Sequence, residues 1–275
     1  MDHVALASRQ AWDNMTRYCY QLGGEWLGGP DPGEVDGKNN GFYFSQVGFE
    51  DGAKLELLEP IDDDGSEFIR RYLDRNGPGP HHITFKVSDF DHALDAVGAA
   101  GYDVVSVNRS DPDWHEAFLH PKQSHGIVIQ LAYHRTHDDD GADETNWVNE
   151  TQLPASLRSR LPVLAEVEHL VADLESATKL FAGPLEMEEH EQGSDSNGQY
   201  VVLTDGPWRL KLTRPANQSW QHWLGPRPGR LFQLHFELTE PGTVPGAEPL
   251  GAGLYQIAPE HNLGTRLLLS PPSHR

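Results

Sequence analysis

The chain is short of several things at once. It has one cysteine, Cys19, so no internal disulfide can form, and that usage fits a reducing, cytoplasmic setting. Basic residues are scarce: 21 Lys and Arg stand against 42 Asp and Glu, for a formal net charge of −21. Nucleic acids and anionic membrane surfaces both need a basic footprint, so neither is expected as a partner. The acidity reads instead as solubility or as adaptation to a salty setting. No apolar run approaches the length that crosses a bilayer. The first residues, Met1-Asp2-His3-Val4, enter a strand without a basic or apolar leader, and no signal peptide is expected. The 275 residues suffice for one large or two medium domains with proper cores.

What the chain does have is a repeat, the first thing to seek because overlooking it misreads the fold. Asp2-His3-Val4-Ala5-Leu6, His81-His82-Ile83-Thr84-Phe85 and Glu168-His169-Leu170-Val171-Ala172 share one pattern, and Gln233-Leu234-His235-Phe236 is a weaker copy. Each copy is followed by a second strand-like run: Lys54 to Leu58, Ile127 to Leu131, Trp208 to Leu212, and Arg266 to Leu269.

Between these markers the elements recur. In the first period Val4 to Ala7 reads as a strand and Gln10 to Leu22 as a helix, with Trp12, Met15, Tyr18 and Leu22 on one face before Gly23-Gly24 stops it. A Gly/Pro/Asp/Asn loop over 28–41 precedes strands Phe42 to Val47 and Ala53 to Leu58, and a helix over 66–76 leads onward. The second period has strands Ile83 to Val87, Asp103 to Val107, Ala117 to His120 and Ile127 to Ala132. Its helix spans Asp91 to Ala100, with Asp89 as N-cap and Gly101 as terminator. Residues 135–160 read as an acidic linker. The third period places a helix at Leu174 to Phe181, and the fourth is degenerate, with a Pro/Gly-rich middle from Pro241 to Gly253. The Trp220, His222, Trp223 group suggests an aromatic surface or interdomain packing.

Overlaying the periods puts His3, His82, His169 and Gln233 at one position of the first strand. Glu56, Gln130, Lys211 and Leu268 fall at one position of the last. Strand alternation sends such residues to one sheet face, so His3, Glu56, His82 and Gln130 should converge in a cleft of the first half. Imidazole nitrogens with carboxylate and amide oxygens suit Mn, Fe(II), Co, Ni or Zn. A lysine and a leucine cannot complete such a set, so no metal is expected in the second half. Cys19 reads as a buried structural thiol rather than a reactive one.

These stretches resemble the vicinal oxygen chelate superfamily, which includes glyoxalase I, methylmalonyl-CoA epimerase, extradiol dioxygenases and fosfomycin-resistance proteins. The resemblance is strongest to methylmalonyl-CoA epimerase. It rests on Asp2-His3-Val4-Ala5, Lys54 to Pro60, His81-His82-Ile83, and Ala117 to Lys122 running into Gly126 to Leu131, and it covers most of 1–134 and, more weakly, 161–272. It implies an α+β fold of tandem vicinal-oxygen-chelate domains, with four βαβββ modules forming two curled mixed-sheet clefts. The expected divisions are a metal-bearing domain over 1–134, an acidic linker over 135–160 and a degenerate domain over 161–275. The metal ligands fall on His3, Glu56, His82 and Gln130, holding one divalent ion. His82 is preferred to His81 because the ligand directly precedes the Ile/Val position, as in His3-Val4.

The departure is Gln130, where the epimerases and glyoxalase I carry a glutamate. An amide cannot serve as a base, and it raises the charge of the metal site by one. The second glutamate of the epimerases has no clear counterpart; Asn39 and Asn40 lie near its place, with Glu34 and Asp36. Arg70, Arg71, Lys54 and Lys122 are the candidates for holding an acyl-CoA. The resemblance therefore implies a divalent-metal lyase or isomerase acting through enolate stabilisation on a small oxygen-bearing or acyl-CoA substrate. Glu56 is its proton acceptor and His115 a second acid–base candidate. The alternatives are an Fe(II)-dependent dioxygenase built on His3, His82 and Glu56, and a metal-free small-molecule binding or resistance protein. The chain is expected to be a monomer or homodimer.

Overall fold

The computed structural model describes residues 1–28, 42–60, 67–135 and 162–273. The loop with Glu34, Asp36, Asn39 and Asn40 and nearly all of the acidic stretch 135–160 lie outside them. The first half forms strands β1 (His3–Ala7), β2 (Glu25–Gly28), β3 (Phe42–Gly48), β4 (Lys54–Pro60), β5 (Gly79–Lys86), β6 (Val104–Asn108), β7 (Trp114–Leu119) and β8 (Val128–His134). They make one eight-stranded sheet in the order β2-β3-β4-β1-β5-β8-β7-β6. The second half forms β9 (Val163–Val171), β10 (Glu188–Ser194), β11 (Gly198–Asp205), β12 (Trp208–Pro215), β13 (Gly229–Glu237), β14 (Glu248–Gly251), β15 (Leu254–Ile257) and β16 (Arg266–Ser270). Their order, β10-β11-β12-β9-β13-β16-β15-β14, is the same permutation. The chain is a duplicated α+β protein of four modules, as the repeat implied. In each module the first and last strands pair in parallel and the inner pairs run antiparallel.

Parallel neighbours need a crossover connection. A helix follows the first strand in three modules: α1 (Ala11–Met15), which continues as a π-helical turn over Thr16–Gln21, then α3 (Phe90–Ala99), then α4 (Leu174–Ala182). Helix α2 (Glu67–Asn76) joins the first two modules, and α5 (Gln218–Leu224) joins the third to the fourth. The side chains of Asp89 and Asp173 cap α3 and α4, accepting from His92 N and Ser176 N at 3.0 Å, and satisfy amides that the first helical turn leaves unpaired. The fourth module has only a short 3₁₀ turn, Pro241–Thr243, in its Pro/Gly-rich middle.

Alternation divides the first sheet into two faces. Val4, Leu6, Leu55, Leu57, Ile83, Phe85, Ile129 and Leu131 share one face and are at most 3% exposed. Each contributes about 1.5–3 kcal/mol of apolar burial. The other face carries His3, Ala5, Glu56, Leu58, His82, Thr84 and Gln130 in register: Ala5 pairs with Glu56, and Thr84 with Gln130. Helix α2 covers one end of this face, packing Ile69 and Leu73 on Ala5, Ala7 and Leu58 beside Phe42, Phe44 and Tyr72.

The structure adds strands that the sequence did not announce. β2 lies between Gly23-Gly24 and the loop expected over 28–41, in a stretch assigned to no element, and β7 begins at Trp114 rather than Ala117. β10, Glu-Glu-His-Glu-Gln-Gly-Ser, is exposed along its whole length and has no apolar signal. Trp220 and Trp223 pack on Phe232 at ring distances of 4.4 and 5.1 Å, beside Leu170 and Leu224, so that aromatic group is a core.

The described residues gather into two compact units. One draws on 1–2, 82–135 and 166–232, the other on 3–28, 42–60, 67–81, 162–165 and 233–273. In the first, the backbones of Gly126 and Gly229 approach so closely that a Cβ on Gly126, at φ +85°, would lie 1.8 Å from Gly229 O. In the second, Phe49 and Phe236 stack at 5.0 Å, and Asn262 Nδ2 donates to Tyr18 Oη at 3.1 Å.

Candidate metal centre

Three neighbouring strands deliver the centre. His3 opens β1, Glu56 lies mid-β4 and His82 lies on β5, and one ligand-competent atom from each falls within 4.8 Å of the others. Among the described residues this is the one His/Cys/Asp/Glu group of that kind. His3 Nε2 lies 3.5 Å from Glu56 Oε2. Atoms bound to one ion at about 2.1 Å sit roughly 3–4 Å apart, so this pair is already at ligand spacing. Both histidines are buried, at 3% and 6% exposure, and Glu56 is half-buried. Burial of a carboxylate beside two imidazoles is costly unless charge is compensated, and a divalent ion compensates it. The donor chemistry fits the metals expected from the sequence.

His81, the neighbour of His82, is placed elsewhere. It is edge-on to Phe68 and Tyr72 of α2 at 4.9 and 4.6 Å, and burial pushes its imidazole down to about 4.

Gln130 shares the face of Thr84 and is 8% exposed. Its Oε1 accepts from Thr84 Oγ1 at 2.6 Å, and its Nε2 donates to Glu116 Oε2 at 2.9 Å. An amide oxygen has two acceptor sites, so Thr84 leaves one for an ion. Glu116, on β7, was missed by the sequence analysis, which began that strand one residue too late to include it. The signal was available: Glu116 alternates with Phe118, which pairs with Gln130.

The structure does not bring His115 to this group. His115 precedes Glu116 and therefore points to the opposite face, where its ring lies 5.5 Å from Phe90 of α3 and 5.6 Å from Tyr133. Period-two geometry excludes it from the face that carries Gln130. His120 is exposed and its Nδ1 accepts from Lys122 N at 3.1 Å, closing a turn. Cys19, expected to be buried, is half-buried, and desolvation pushes its thiol up to about 12.

The second half requires a correction of register. β9 pairs Glu168 with Lys211, as β1 pairs Ala5 with Glu56. The counterpart of His3 is therefore Glu166, and His169 corresponds to Leu6 on the opposite face. The Glu168-His169-Leu170 copy lies three residues out of phase. His169 is fully buried, its Nε2 lies 2.7 Å from His125 O, and burial pushes its imidazole down to about 4. On the face that corresponds to the metal group, Lys211 Nζ lies 3.5 Å from Glu168 Oε1 and 3.9 Å from Asp195 Oδ2, over the Tyr200 ring at 4.7 Å. Thr213 Oγ1 donates to Glu168 at 2.8 Å. Glu166 Oε2 lies 4.0 Å from Arg209 Nε, and burial above all raises its carboxyl to about 7; Lys211 opposes that shift and Glu168 adds to it.

The chain is a duplicated α+β protein with a two-histidine, one-carboxylate group, able to hold a metal ion, on one sheet face. Residues 2–118 match the model of the glyoxalase/bleomycin resistance protein/dioxygenase superfamily. Over its whole length the chain is similar in fold to a triply substituted 4-hydroxymandelate synthase from Streptomyces coelicolor. The TM-score is 0.62 at 14% identity, covering 99% of this chain and 93% of that one. Methylmalonyl-CoA epimerase from Mycobacterium tuberculosis matches at 25% identity and a TM-score of 0.41, over 49% of this chain and 87% of that one. An epimerase from Streptomyces coelicolor bound to 2-nitronate-propionyl-CoA matches at 26% identity and 0.41, over 50% and 97%. No curated protein matches the chain.

Proposed function

We propose that the chain is a divalent-metal-dependent lyase or isomerase that works on a small oxygen-bearing or acyl-CoA substrate. His3, Glu56 and His82, together with Gln130 Oε1, would hold one Mn, Fe, Co, Ni or Zn ion in the domain 1–134. One observation carries this reading: ligand-competent atoms of three side chains from three adjacent strands lie within 4.8 Å of one another. Bound there, the ion supplies positive charge beside a substrate oxygen and so favours an enolate. Glu56, the carboxylate of the group, would take the proton from the substrate. His3 and His82, buried in β1 and β5, orient the group and exclude water. The half 161–275, with Glu166 and Lys211 at the corresponding positions, is a domain without a metal.

A second reading is an Fe(II) oxygenase. It is favoured by the donor set itself, since two histidines and one carboxylate with open positions suit that chemistry.

The test is elemental analysis of untagged protein purified without chelator, beside a His3→Ala/His82→Ala variant. About one divalent ion per chain, lost in the variant, is expected. Manganese, cobalt, nickel or zinc supports the isomerase; iron with substrate-dependent oxygen uptake supports the oxygenase. Absence of metal, even after soaking with each ion, would sink both and leave a binding protein.

A further inference from the structure

We propose that Glu116 is the positioning residue of this metal centre: through Gln130 it fixes which amide atom faces the site, and it contributes a second carboxylate charge from β7. The inference rests on the metal-site reading above.

A carboxylate accepts hydrogen bonds, whereas the two ends of an amide differ, one donating and one accepting. Glu116 Oε2 lies 2.9 Å from Gln130 Nε2, so that end of the amide must be the donor. Reversal would set the amide oxygen against a carboxylate oxygen at the same distance. Oε1 is thereby directed to β5, where Thr84 Oγ1 donates to it at 2.6 Å and where His82 shares the face two residues earlier. Glu116 is itself held in place: Trp114 Nε1 approaches Oε2 and Asn108 Nδ2 approaches Oε1, each at 3.4 Å. Nothing in this chain of contacts is redundant, because each partner fixes the orientation of the next.

The same contacts account for the amide at position 130. A glutamate there would place two carboxylates about 3 Å apart, an arrangement in which both cannot readily ionise. With Glu116 on β7, the negative charge expected on β8 is carried one strand over. The centre then answers to Glu56 directly and to Glu116 through a hydrogen bond. This offsets the extra positive charge that Gln130 alone would leave.

The test uses the full chain and Co(II), read by binding titration and by the d–d absorption of the bound ion. Partners that orient metal ligands typically contribute about ten- to hundredfold in affinity. Glu116→Gln should therefore weaken Co(II) binding by about that factor and shift the absorption. The exchange variant Glu116→Gln/Gln130→Glu restores a donor–acceptor pair with its polarity reversed. It should bind within about threefold of the unaltered protein and more tightly than Gln130→Glu alone, in which two carboxylates would meet, a rescue that a carboxylate ligand added at position 130 would not give by itself. Unchanged binding by Glu116→Gln, or an exchange variant no better than the single one, overturns the inference. Should Glu116→Gln fail to fold, the exchange variant decides alone: binding near the unaltered level supports the inference and weak binding overturns it. If the unaltered protein takes up no Co(II), it is the metal reading that fails.

Discussion

Glu166 offers a test of the register correction that involves no metal. Its carboxyl is raised from the ordinary 4.5 to about 7, chiefly by burial, and its side chain is 21% exposed. A carboxylate whose folded pKa exceeds its unfolded one binds more protons in the folded state. Stability is therefore lost as pH rises from 4.5 towards 7. Each pKa unit is worth 1.36 kcal/mol, so the ionised side chain costs the fold about 3 kcal/mol above pH 7 and about 1 kcal/mol at pH 5. Glu166→Gln, which keeps the shape and removes the ionisation, should gain about 3 kcal/mol at pH 8 and far less at pH 5. With a urea dependence of about 1–3 kcal/mol per molar, the variant's advantage in unfolding midpoint should widen by roughly 1 M between the two pH values. Equal advantages at both, or an advantage that shrinks with pH, would refute the placement of Glu166 on a poorly compensated buried face. His169→Gln, at the residue the sequence repeat first indicated, should not show this pH profile.

Other expectations concern the frame. Ile129→Ala empties a fully buried position behind the metal face and should cost about 2–5 kcal/mol, read from denaturant unfolding. Gly126→Ala forces a Cβ onto Gly229 O at a left-handed φ and should lower the melting temperature by several degrees, whereas Gly101→Ala, with open space around it, should cost less. Half-buried Cys19 should react with thiol reagents at pH 8 more slowly in the folded than in the urea-unfolded protein, since the raised pKa leaves little thiolate.

The strands that carry the centre were legible because each has an apolar face. Val4, Leu55, Ile83 and Ile129 set the phase, and a polar residue out of step with core composition then stands out. The four-module plan followed from the same runs. Where the apolar signal is absent the sequence says little: β10 has no inward face to betray it, and β2 is a four-residue edge. His169 misled because a histidine before apolar residues looks the same on either sheet face; only pairing with β12 fixes the phase. Glu116 was lost to a strand boundary, and His115 was chosen although it lies one residue away on the wrong side. Boundary and register are tertiary facts, set by which neighbour a strand hydrogen-bonds.

The exposed strand β10 borders the second sheet and leaves one line of backbone groups without a neighbouring strand in that sheet. Such an edge invites another chain to add itself, the first step of aggregation. Here Glu188, Glu189 and Glu191 stand along it. A second copy docking edge to edge would bring carboxylates together at about 5 Å, each facing pair costing on the order of 1 kcal/mol in water. That protection is electrostatic and weakens as salt shortens the Debye length. The least obtrusive strand of the fold thus acts as a guard against self-association, one that is strongest in dilute buffer and relaxes in brine.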